Sequence, residues 1–324
     1  MARVLGIGNA LVDLLISLED DRLLEELNLP KGSMTLVDEQ TKDRIAEKSK
    51  HLKREMASGG SAANTIHGLA RLGIETAFIG TIGRDETGEF FKNDLLKSHI
   101  RPILNQSETP SGLATTLISP DGERTFGTYL GASIELSPDD FDREKFSGFD
   151  LLHVEGYLVQ NHELLETILK LAKQAGLQVS IDMASYNVVE ENLDYLKEMV
   201  ERYVDIVFAN EEEARAFSGL DADPALDYLS GFTEVAIVKT GSRGSMVKSR
   251  GKVMIIDAIR ADVADTTGAG DLYAAGFLYG MVNNKDLKIS GNIGSLLATQ
   301  VVEVMGAKIP DGRWETILKE IKQL

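Results

Sequence analysis

The chain has 324 residues, of which 43% are hydrophobic and 26% are charged, a composition typical of an ordinary globular protein. Its formal net charge is −17, and no local basic patch offsets this charge, so we expect no nucleic-acid partner. Because the chain has no cysteine and no H-E-x-x-H pair among its five histidines, we expect no disulfide, thiolate nucleophile or catalytic zinc.

The N-terminal segment is apolar but carries two polar side chains. In "MARVLGIGNALVDLL", Asn9 and Asp13 interrupt the apolar run, and no clear cleavage region follows it. The segment is therefore predicted to be a strand rather than a signal peptide. Since the chain has no run of 18 or more apolar residues, we expect no membrane association and a cytoplasmic location.

The same segment partly matches a dinucleotide-binding fingerprint. "GIGNAL" contains two glycines of the pattern G-x-G-x-x-G, but Leu11 stands where the third glycine belongs. This partial match keeps two alternative functions open, a nucleotide-dependent oxidoreductase and a non-catalytic nucleotide sensor.

Strand-like and helix-like segments alternate along most of the chain. Between several apolar runs lie helical segments such as 161–176, where apolar residues recur at i, i+3, i+4 and i+7. This alternation predicts an α/β protein with a mostly parallel sheet covered by helices on both faces. The runs predicted as strands are "RVLGIG", "TAFIGTIG", "FDLLHVEG", "LQVSID", "VDIVFAN" and "TEVAIVKTG".

Two regions, near 11–37 and 111–133, break this alternation with strand-like runs. The second contains a "PDG" turn, which favours a hairpin. We expect the two regions to form a small sheet, a lid over the carboxyl ends of the main strands, where open α/β sheets bind ligands. With no Pro-rich linker, residues 1–324 are predicted to be a single domain, and the edge of the lid could pair with a second copy to form a homodimer.

A loop of small residues, Gly268, Ala269 and Gly270, precedes an apolar run with the composition of a buried helix. The free N–H groups of a helix start and the helix dipole favour a phosphate there. Asp271 would repel a phosphate, but it is well placed to accept the proton of a hydroxyl that attacks phosphorus. Alternatively, Asp271 is an ordinary first-turn acidic residue after a tight turn.

Two motifs resemble a known family. "ASGGSAANTIHGLARLG" and "DTTGAGD" resemble the N-terminal and C-terminal signatures of the PfkB, or ribokinase-like, kinases. Matches in "GNALVD", "IGTIGRDETGEFF", "FANEEEA", "KTGSRGS" and "ATQVVEVMGA" extend the resemblance over nearly the whole chain. The resemblance implies a ribokinase-like three-layer αβα fold with a β-sheet lid, and transfer of the γ-phosphoryl group of ATP to a small-molecule sugar or nucleoside.

The resemblance also implies roles for individual residues around the phosphates. Asp271 is the expected general base, and the amides of Gly268, Ala269, Gly270 and Asp271 are the expected anion hole. Arg124 of the "DGERTF" hairpin is expected to close over the phosphates. Asp265 is expected to help hold a monovalent cation such as K⁺.

Two further motifs are implied to bind nucleotide and metal. In "KTGSRGS", the expected nucleotide-binding residues are Lys239, Thr240, Gly241 and Gly244, although a strand ending in a turn would show the same pattern. Asn210 and Glu213 resemble the family's N-x-x-E pair, which arranges Mg²⁺ and its waters. The pair is also a capping-box pattern for the next helix, and both roles can hold because Mg²⁺ usually keeps several waters.

The implied acceptor site lies in the N-terminal half. Asn9, Asp13, Gly60 and Asn64 match positions that hydrogen-bond sugar hydroxyls, and Gly59 and Gly60 let a backbone approach closely. The glycines could equally form a tight turn, and Asn64 could be an ordinary early-helix residue. Asp13 is harder to explain in this way, because a carboxylate in an apolar strand needs a partner.

The identity of the acceptor depends on finer similarities. The segments "LPKGSMTLVDE", "GERTFGTYLGAS" and "HVEGYLVQN" look more like the adenosine-kinase-like branch of the family, in which Tyr157 would stack on the base. Tyr157 could instead be a half-buried aromatic residue at a strand end. Because no cation beyond Arg124 stands out for an anionic sugar, a neutral acceptor is favoured, adenosine first and a free sugar of the ribose or fructose type second.

Overall fold

The computed structural model describes residues 2–324. The strands are β1 Arg3–Ile7, β2 Leu11–Ser17, β3 Met34–Leu36, β4 Arg54–Gly59, β5 Glu75–Gly83, β6 Ile100–Ser107, β7 Gly112–Ile118, β8 Arg124–Tyr129, β9 Leu151–Glu155, β10 Gln178–Asp182, β11 Ile206–Asn210, β12 Val235–Lys239, β13 Ser245–Ser249 and β14 Lys252–Ile256. The helices are α1 Arg22–Leu27, α2 Glu39–Ser49, α3 Ser61–Arg71, α4 Glu86–Lys97, α5 His162–Gln174, α6 Tyr186–Glu191, α7 Leu193–Tyr203, α8 Glu211–Ser218, α9 Ala222–Leu229, α10 Ala269–Val282, α11 Leu287–Val302 and α12 Trp314–Ile321.

The larger sheet has nine strands in the order β14-β13-β12-β11-β10-β9-β1-β5-β6. Strands β12 through β6 in this order are parallel, and β13 and β14 extend the sheet as an antiparallel hairpin. The six apolar runs predicted as strands all lie in the parallel part, because strands buried on both faces are apolar at every position. Strands β6, β13 and β14 were not among the predicted strands.

Helices cover both faces of this sheet, as predicted. On one face, α5, α7, α8 and α9 bury side chains such as Ile168, Met199 and Phe217 against the strands. On the other face, α3, α10, α11 and α12 bury side chains such as Ile66 and Phe277. Helix α10 is buried around nearly its whole circumference between α3 and α11, which explains its apolar composition. The structure therefore has the predicted three-layer αβα architecture.

The smaller sheet has five strands in the order β3-β8-β7-β2-β4. Helices α1 and α2 pack on one of its faces through a small apolar cluster that includes Ile16, Leu24, Ile45 and Leu117. The hairpin expected at the "PDG" turn is present as the antiparallel pair β7 and β8. The two regions singled out in the sequence supply four of the strands, whereas β4 comes from a third segment that the sequence analysis did not assign to this sheet.

The N-terminal run, expected to supply the strand "RVLGIG" to the main sheet and a small-sheet region from about residue 11, contains two strands. It forms β1 in the large sheet and β2 in the small sheet, with Asn9 in the connection between them. The chain turns at Gly8, where a Cβ would lie 2.3 Å from the Glu155 carboxylate, so this close approach explains the glycine without a dinucleotide. No helix within residues 2–324 combines the length and apolar composition needed to cross a membrane.

Candidate active site

A row of polar residues ends four neighbouring parallel strands. Strands β9, β10, β11 and β12 end at Glu155, Asp182, Asn210 and Lys239. In the register of the sheet, Asp182 lies opposite Glu155, and Lys239 lies opposite Asn210. Because parallel strands end at the same edge, this row forms one continuous polar surface where open α/β sheets bind ligands.

Asp271 lies over this row, in the first turn of α10. Its carboxylate accepts hydrogen bonds from Ser61 Oγ at 2.8 Å and from Asn64 Nδ2 at 3.0 Å, so the N-terminal ends of α3 and α10 meet there. Burial, followed by the negative charge of Asp182, raises the pKa of Asp271 to about 6, while the two hydrogen bonds act in the opposite direction. At neutral pH the group is ionised and able to accept a proton.

The loop before α10 has the geometry of an anion site. Gly268 is the N-cap residue with φ 75°, a conformation that favours glycine, and α10 begins at Ala269. The first-turn amides of a helix have no intrahelical acceptor, but the Ala269 N–H already donates to the Thr266 carbonyl at 3.2 Å. A Cβ at Gly270 would lie 2.9 Å from Lys239 Nζ, so an ammonium group stands beside the helix start.

Lys239 is held in a buried ion pair. Its Nζ donates to Asp182 Oδ2 at 2.7 Å, and the two side chains are 14% and 8% exposed. Burial lowers the pKa of Lys239, but the Asp182 and Glu213 carboxylates outweigh burial and raise that pKa above its usual range. The lysine is therefore a permanent cation beside the start of α10, in the position where a phosphate would need one.

Asn210 and Glu213 form the capping box of α8. Asn210 Oδ1 accepts from the Glu213 N–H at 2.9 Å, and Glu213 Oε2 accepts from the Asn210 N–H at 2.8 Å. Burial and the charge of Asp182 raise the pKa of Glu213 to about 7. No group of three or more His, Asp or Glu side chains in residues 2–324 forms a metal cage. The oxygen donors Asp182 and Glu213 fit Mg²⁺ bound through water and substrate phosphates, which is the usual mode for this ion.

Five of the residues expected in the acceptor site meet where β2, β4 and α3 come together. A Cβ at Gly59 would lie 2.4 Å from the Asp13 carboxylate, and a Cβ at Gly60, where φ is +92°, would lie 2.3 Å from the Asn9 carbonyl. Asn9 and Asn64 are 8% and 5% exposed. The side-chain oxygens of these asparagines have no hydrogen-bond partner in the described part of the chain. Buried acceptors without a partner point to a ligand that supplies donors.

Tyr157 follows β9 in the short helix Gly156–Gln160 and is 36% exposed. Its hydroxyl is near Ser185. Burial raises its pKa. The expected stacking of Tyr157 on a base stays a prediction.

Arg124 and Asp265 were expected in separate roles, but they pair with each other. From β8, Arg124 forms an ion pair with Asp265 and donates to the Ala264 carbonyl at 2.9 Å. The Asp265 oxygens also accept from the Thr267 and Gly306 N–H groups, each at 2.7 Å. Burial raises the pKa of Asp265, but these hydrogen bonds and Arg124 outweigh it and lower the pKa. In this arrangement Arg124 balances the charge of Asp265, and the expected monovalent cation stays a prediction.

A cavity of about 570 Å³ opens beside the anion site. Lys239, Gly241, Gly244 and Gly270 form its polar end. Most of the remaining lining is apolar, including Ala258, Ile259, Val263, Ala298 and Val302, and the polar residues there include Ser242, Arg260, Thr266, Ser295 and Thr299. Thr240 is not part of the lining, because its hydroxyl and its N–H both bond to the Gly244 carbonyl and close the turn.

Sequence reasoning missed Glu155, Asp182 and Lys308. Glu155 accepts from the Asn9 N–H at 2.9 Å and the Ala62 N–H at 3.1 Å, and burial raises its pKa to about 7. Glu155 and Asp182 each end an apolar strand run, a signal that was visible in the sequence. Lys308 gave no such signal, since it lies outside the motifs, yet its Nζ donates to Ser58 Oγ at 3.0 Å in this site.

Known proteins resemble this chain in sequence and in structure. The model of the pfkB family of carbohydrate kinases matches residues 32–312. The structure is similar to adenosine kinase from Sinorhizobium meliloti, with 32% identity, a TM-score of 0.86, and coverage of 98% of this chain and 99% of that one. It is also similar to a probable sugar kinase from Rhizobium etli, with 29% identity, a TM-score of 0.88, and coverage of 100% and 99%. The 5-dehydro-2-deoxygluconokinase of Bacillus subtilis is 29% identical over 261 residues, covering 75% of this chain and 80% of that protein.

Proposed function

The chain belongs to the pfkB family of carbohydrate kinases, and we propose that it transfers the γ-phosphoryl group of ATP to a hydroxymethyl oxygen of adenosine or a related ribose-containing acceptor. The observation that carries this proposal is Asp271, a carboxylate held by Ser61 and Asn64 at a helix N-terminus beside the Lys239 ammonium. Asp271 as base, the amides at the start of α10 as anion site and the Lys239 ammonium as cation thus lie side by side.

The reaction follows from this arrangement. Asp271 accepts the proton of the acceptor hydroxyl as its oxygen attacks the γ-phosphorus, and the bond to the β-phosphate oxygen breaks to release ADP. The amides of Gly268, Gly270 and Asp271 and the ammonium of Lys239 stabilise the charge on the transferring group. Mg²⁺, when bound near Asp182 and Glu213, would balance charge on the phosphates.

ATP is assigned to the cavity beside Lys239. The cavity volume of about 570 Å³ suits a nucleotide, and its apolar lining suits a base, while Gly241 and Gly244 leave its polar end open. The phosphates would then point toward the start of α10, where helix dipole and ammonium both favour them.

The acceptor is assigned to the face of the small sheet that carries Asp13. Leu15 lies two positions further along β2, and cross-strand pairing puts Thr116, Phe126 and Met34 on the same face. Met34 is 61% exposed. This apolar face, beside the residues proposed to bind hydroxyls, is larger than a free sugar can cover. Its size supports a nucleoside acceptor. Tyr157 is the expected stacking residue, and Phe126, on the face that carries Asp13, is a second candidate.

A free sugar is the alternative acceptor. The similarity to the probable sugar kinase of Rhizobium etli supports it, as does the similarity to the 5-dehydro-2-deoxygluconokinase of Bacillus subtilis. ADP release from Mg-ATP across adenosine, inosine, ribose, fructose and one sugar acid would decide between them. We expect the highest kcat/KM with adenosine. The Asp271→Asn variant, purified in parallel, controls for contaminating kinases, and a preference for ribose or fructose would overturn the nucleoside assignment.

Closure of the small sheet is proposed to move Arg124 from Asp265 to the phosphates. Arg124 links the small sheet to the loop before α10, so its release would couple substrate binding to closure over the site. Arg124→Gln is expected to lower kcat by roughly tenfold or more. Because closure releases Asp265 from Arg124, we expect turnover to be higher in K⁺ than in tetramethylammonium buffer, and equal turnover in the two buffers would count against a cation at Asp265. Stimulation by K⁺ would show that the implied cation does bind there.

We also propose a homodimer through the small sheet, and a cytoplasmic location where ATP is available. Met34 and Leu36 on the edge strand β3 are exposed and apolar, which favours burial against a second copy. Light scattering over a concentration series should report a dimer that Leu36→Lys weakens. A monomer at all concentrations would contradict the dimer, and this face would then serve acceptor binding only. Cell fractionation checks the location.

A further inference from the structure

Lys308 lies in the acceptor site, although no motif contains it. It follows α11 in a segment that returns to the small sheet, and its Nζ donates to Ser58 Oγ at 3.0 Å. Ser58 in turn donates from its Oγ to Asp94 Oδ2 at 2.5 Å and from its N–H to the same oxygen at 3.2 Å. Ser58 immediately precedes Gly59, against which the Asp13 carboxylate packs. The ammonium is therefore fixed next to the strand that backs Asp13.

The charges around Lys308 come from several elements. Asp94 on α4, Asp13 on β2 and Asp271 on α10 attract it, while His67 on α3 lies near it as a neutral imidazole. Burial outweighs these carboxylates and lowers the pKa of Lys308 to about 8. The ammonium form nevertheless predominates at neutral pH, so Lys308 brings a positive charge among three carboxylates.

The pKa of Asp13 depends on the positive charge of Lys308. Burial raises its pKa to about 6, and Asp271 and Asp265 raise it further as like charges, whereas Lys308 is the cation that lowers it. An ionised carboxylate accepts hydrogen bonds from hydroxyls on both oxygens, whereas protonation turns one oxygen into a donor and weakens the remaining acceptor. Without Lys308, a larger fraction of Asp13 would be protonated at neutral pH.

We propose that Lys308 is a positioning residue for the phosphoryl acceptor: fixed by Ser58, its ammonium keeps the Asp13 carboxylate charged, so that Asp13 accepts hydrogen bonds from acceptor hydroxyls. This inference rests on the proposed kinase function, because it concerns the binding of the molecule that receives the phosphoryl group. It assigns Lys308 to acceptor binding and not to the binding of ATP.

The test compares Lys308→Met, Lys308→Gln and Lys308→Arg with the unchanged enzyme from pH 6 to 9, using adenosine or the best acceptor of the panel. The two neutral variants should raise the acceptor KM roughly two- to tenfold at pH 7, with the difference disappearing toward pH 9, where Asp13 ionises without help. The KM for ATP and the kcat at saturating acceptor should change less than twofold. Lys308→Arg should restore the pH profile, and Lys319→Met, an exposed lysine on α12, should change nothing.

An acceptor KM that is unchanged at every pH, or a parallel rise in the KM for ATP, would overturn the proposal. A second measurement does not need an acceptor: a double-mutant cycle of Lys308→Gln and Asp13→Asn in urea unfolding at pH 7. The shift in midpoint caused by Lys308→Gln should be larger when Asp13 is present. Equal shifts would show that the two side chains are not coupled, whereas failure of every acceptor in the panel would count against the kinase proposal itself.

Discussion

At the scale of single residues, the site depends on carboxyl groups whose burial brings them near their titration range. Burial raises the pKa of Asp271 and Asp13 to about 6 and that of Glu155 to about 7. A group with such a pKa changes its charge when a proton or a ligand arrives, which a fully solvated carboxylate at neutral pH does not do. Two of these groups are proposed to act on the same acceptor, Asp271 as base and Asp13 as anchor.

The Asp271→Asn variant should lose turnover while keeping most of its ATP affinity. The amide keeps the size of the side chain but cannot accept the proton, so kcat should fall by ~10²–10⁴. ATP affinity could rise slightly, because a negative charge near the γ-phosphate is removed. In the unchanged enzyme, kcat should increase as the pH rises through about 6, since the base acts in its ionised form. Steady-state kinetics and calorimetric titration of ATP check both points, and near-normal turnover would remove Asp271 as the base.

The Asp13→Ala variant should bind acceptor weakly and ATP almost normally. Loss of a charged hydrogen-bonding partner costs about 1.5–3 kcal/mol, which corresponds to roughly 10- to 100-fold in affinity. The proposed partners of Asp13 are acceptor hydroxyls, so the nucleotide cavity should not respond. Separate titrations with adenosine and with a non-hydrolysable ATP analogue measure the two effects, and equal losses for both ligands would indicate a folding role.

At the scale of secondary-structure elements, helix starts converge on the site. Helices α3 and α10 meet at Asp271, and α8 begins at the capping box of Asn210 and Glu213. Each start brings amides or a capping carboxylate to the edge of the large sheet. One residue can therefore cap its helix and also act on the ligand, and mutagenesis must separate these two roles.

The Glu213→Gln variant offers that separation. If Glu213 acts on Mg²⁺ through water, activity should fall mainly at low magnesium and recover in part when magnesium is raised. Loss of a capping interaction alone should cost about 0.5–2 kcal/mol of stability. The matched control is Asp140→Asn, which removes the capping carboxylate of the short helix Pro138–Asp140 outside the site. Thermal unfolding and magnesium titrations of both variants check this, and a loss of activity independent of magnesium would leave Glu213 with the capping role only.

At the scale of the whole molecule, the buried titratable groups predict how stability depends on pH. The raised pKa values of Asp13, Asp271, Glu155 and Glu213, about 6 to about 7, mean that folding favours their protonated forms. Their contribution to the free energy of unfolding is present below the unfolded pKa near 4 and is lost as the pH rises through 6 to 7. His153 acts in the opposite sense below about pH 6.5, because burial lowers its pKa to about 4.

Without ligands, the free energy of unfolding should therefore increase by on the order of 1–3 kcal/mol when the pH is lowered from 8 to about 6. Lys308, whose pKa of about 8 is lower than in the unfolded chain, opposes this only slightly, since most of its effect is lost by pH 8. Urea unfolding at three pH values measures the trend. The Glu155→Gln variant should show a flatter dependence, and stability that falls steadily from pH 8 to 6 would contradict the prediction.

The amino-acid sequence by itself determined the elements whose formation depends on residues close to one another along the chain. Apolar runs identified the six strands of the parallel sheet, because a strand buried on both faces is apolar throughout. The small residues before Asp271 identified a helix start open to an anion, since backbone amides there need no side chain. The "PDG" turn identified a hairpin for the same local reason.

Only the tertiary structure decided which distant side chains meet. Ser61 and Asn64 reach Asp271 across 210 and 207 residues of chain, and Lys308 reaches Ser58 across 250. Between β1 and β2, Gly8 lies against Glu155, a contact between distant residues that no local pattern encodes. The charge state of each site residue likewise depends on burial and on partners from other elements, and both exist only once the chain has folded.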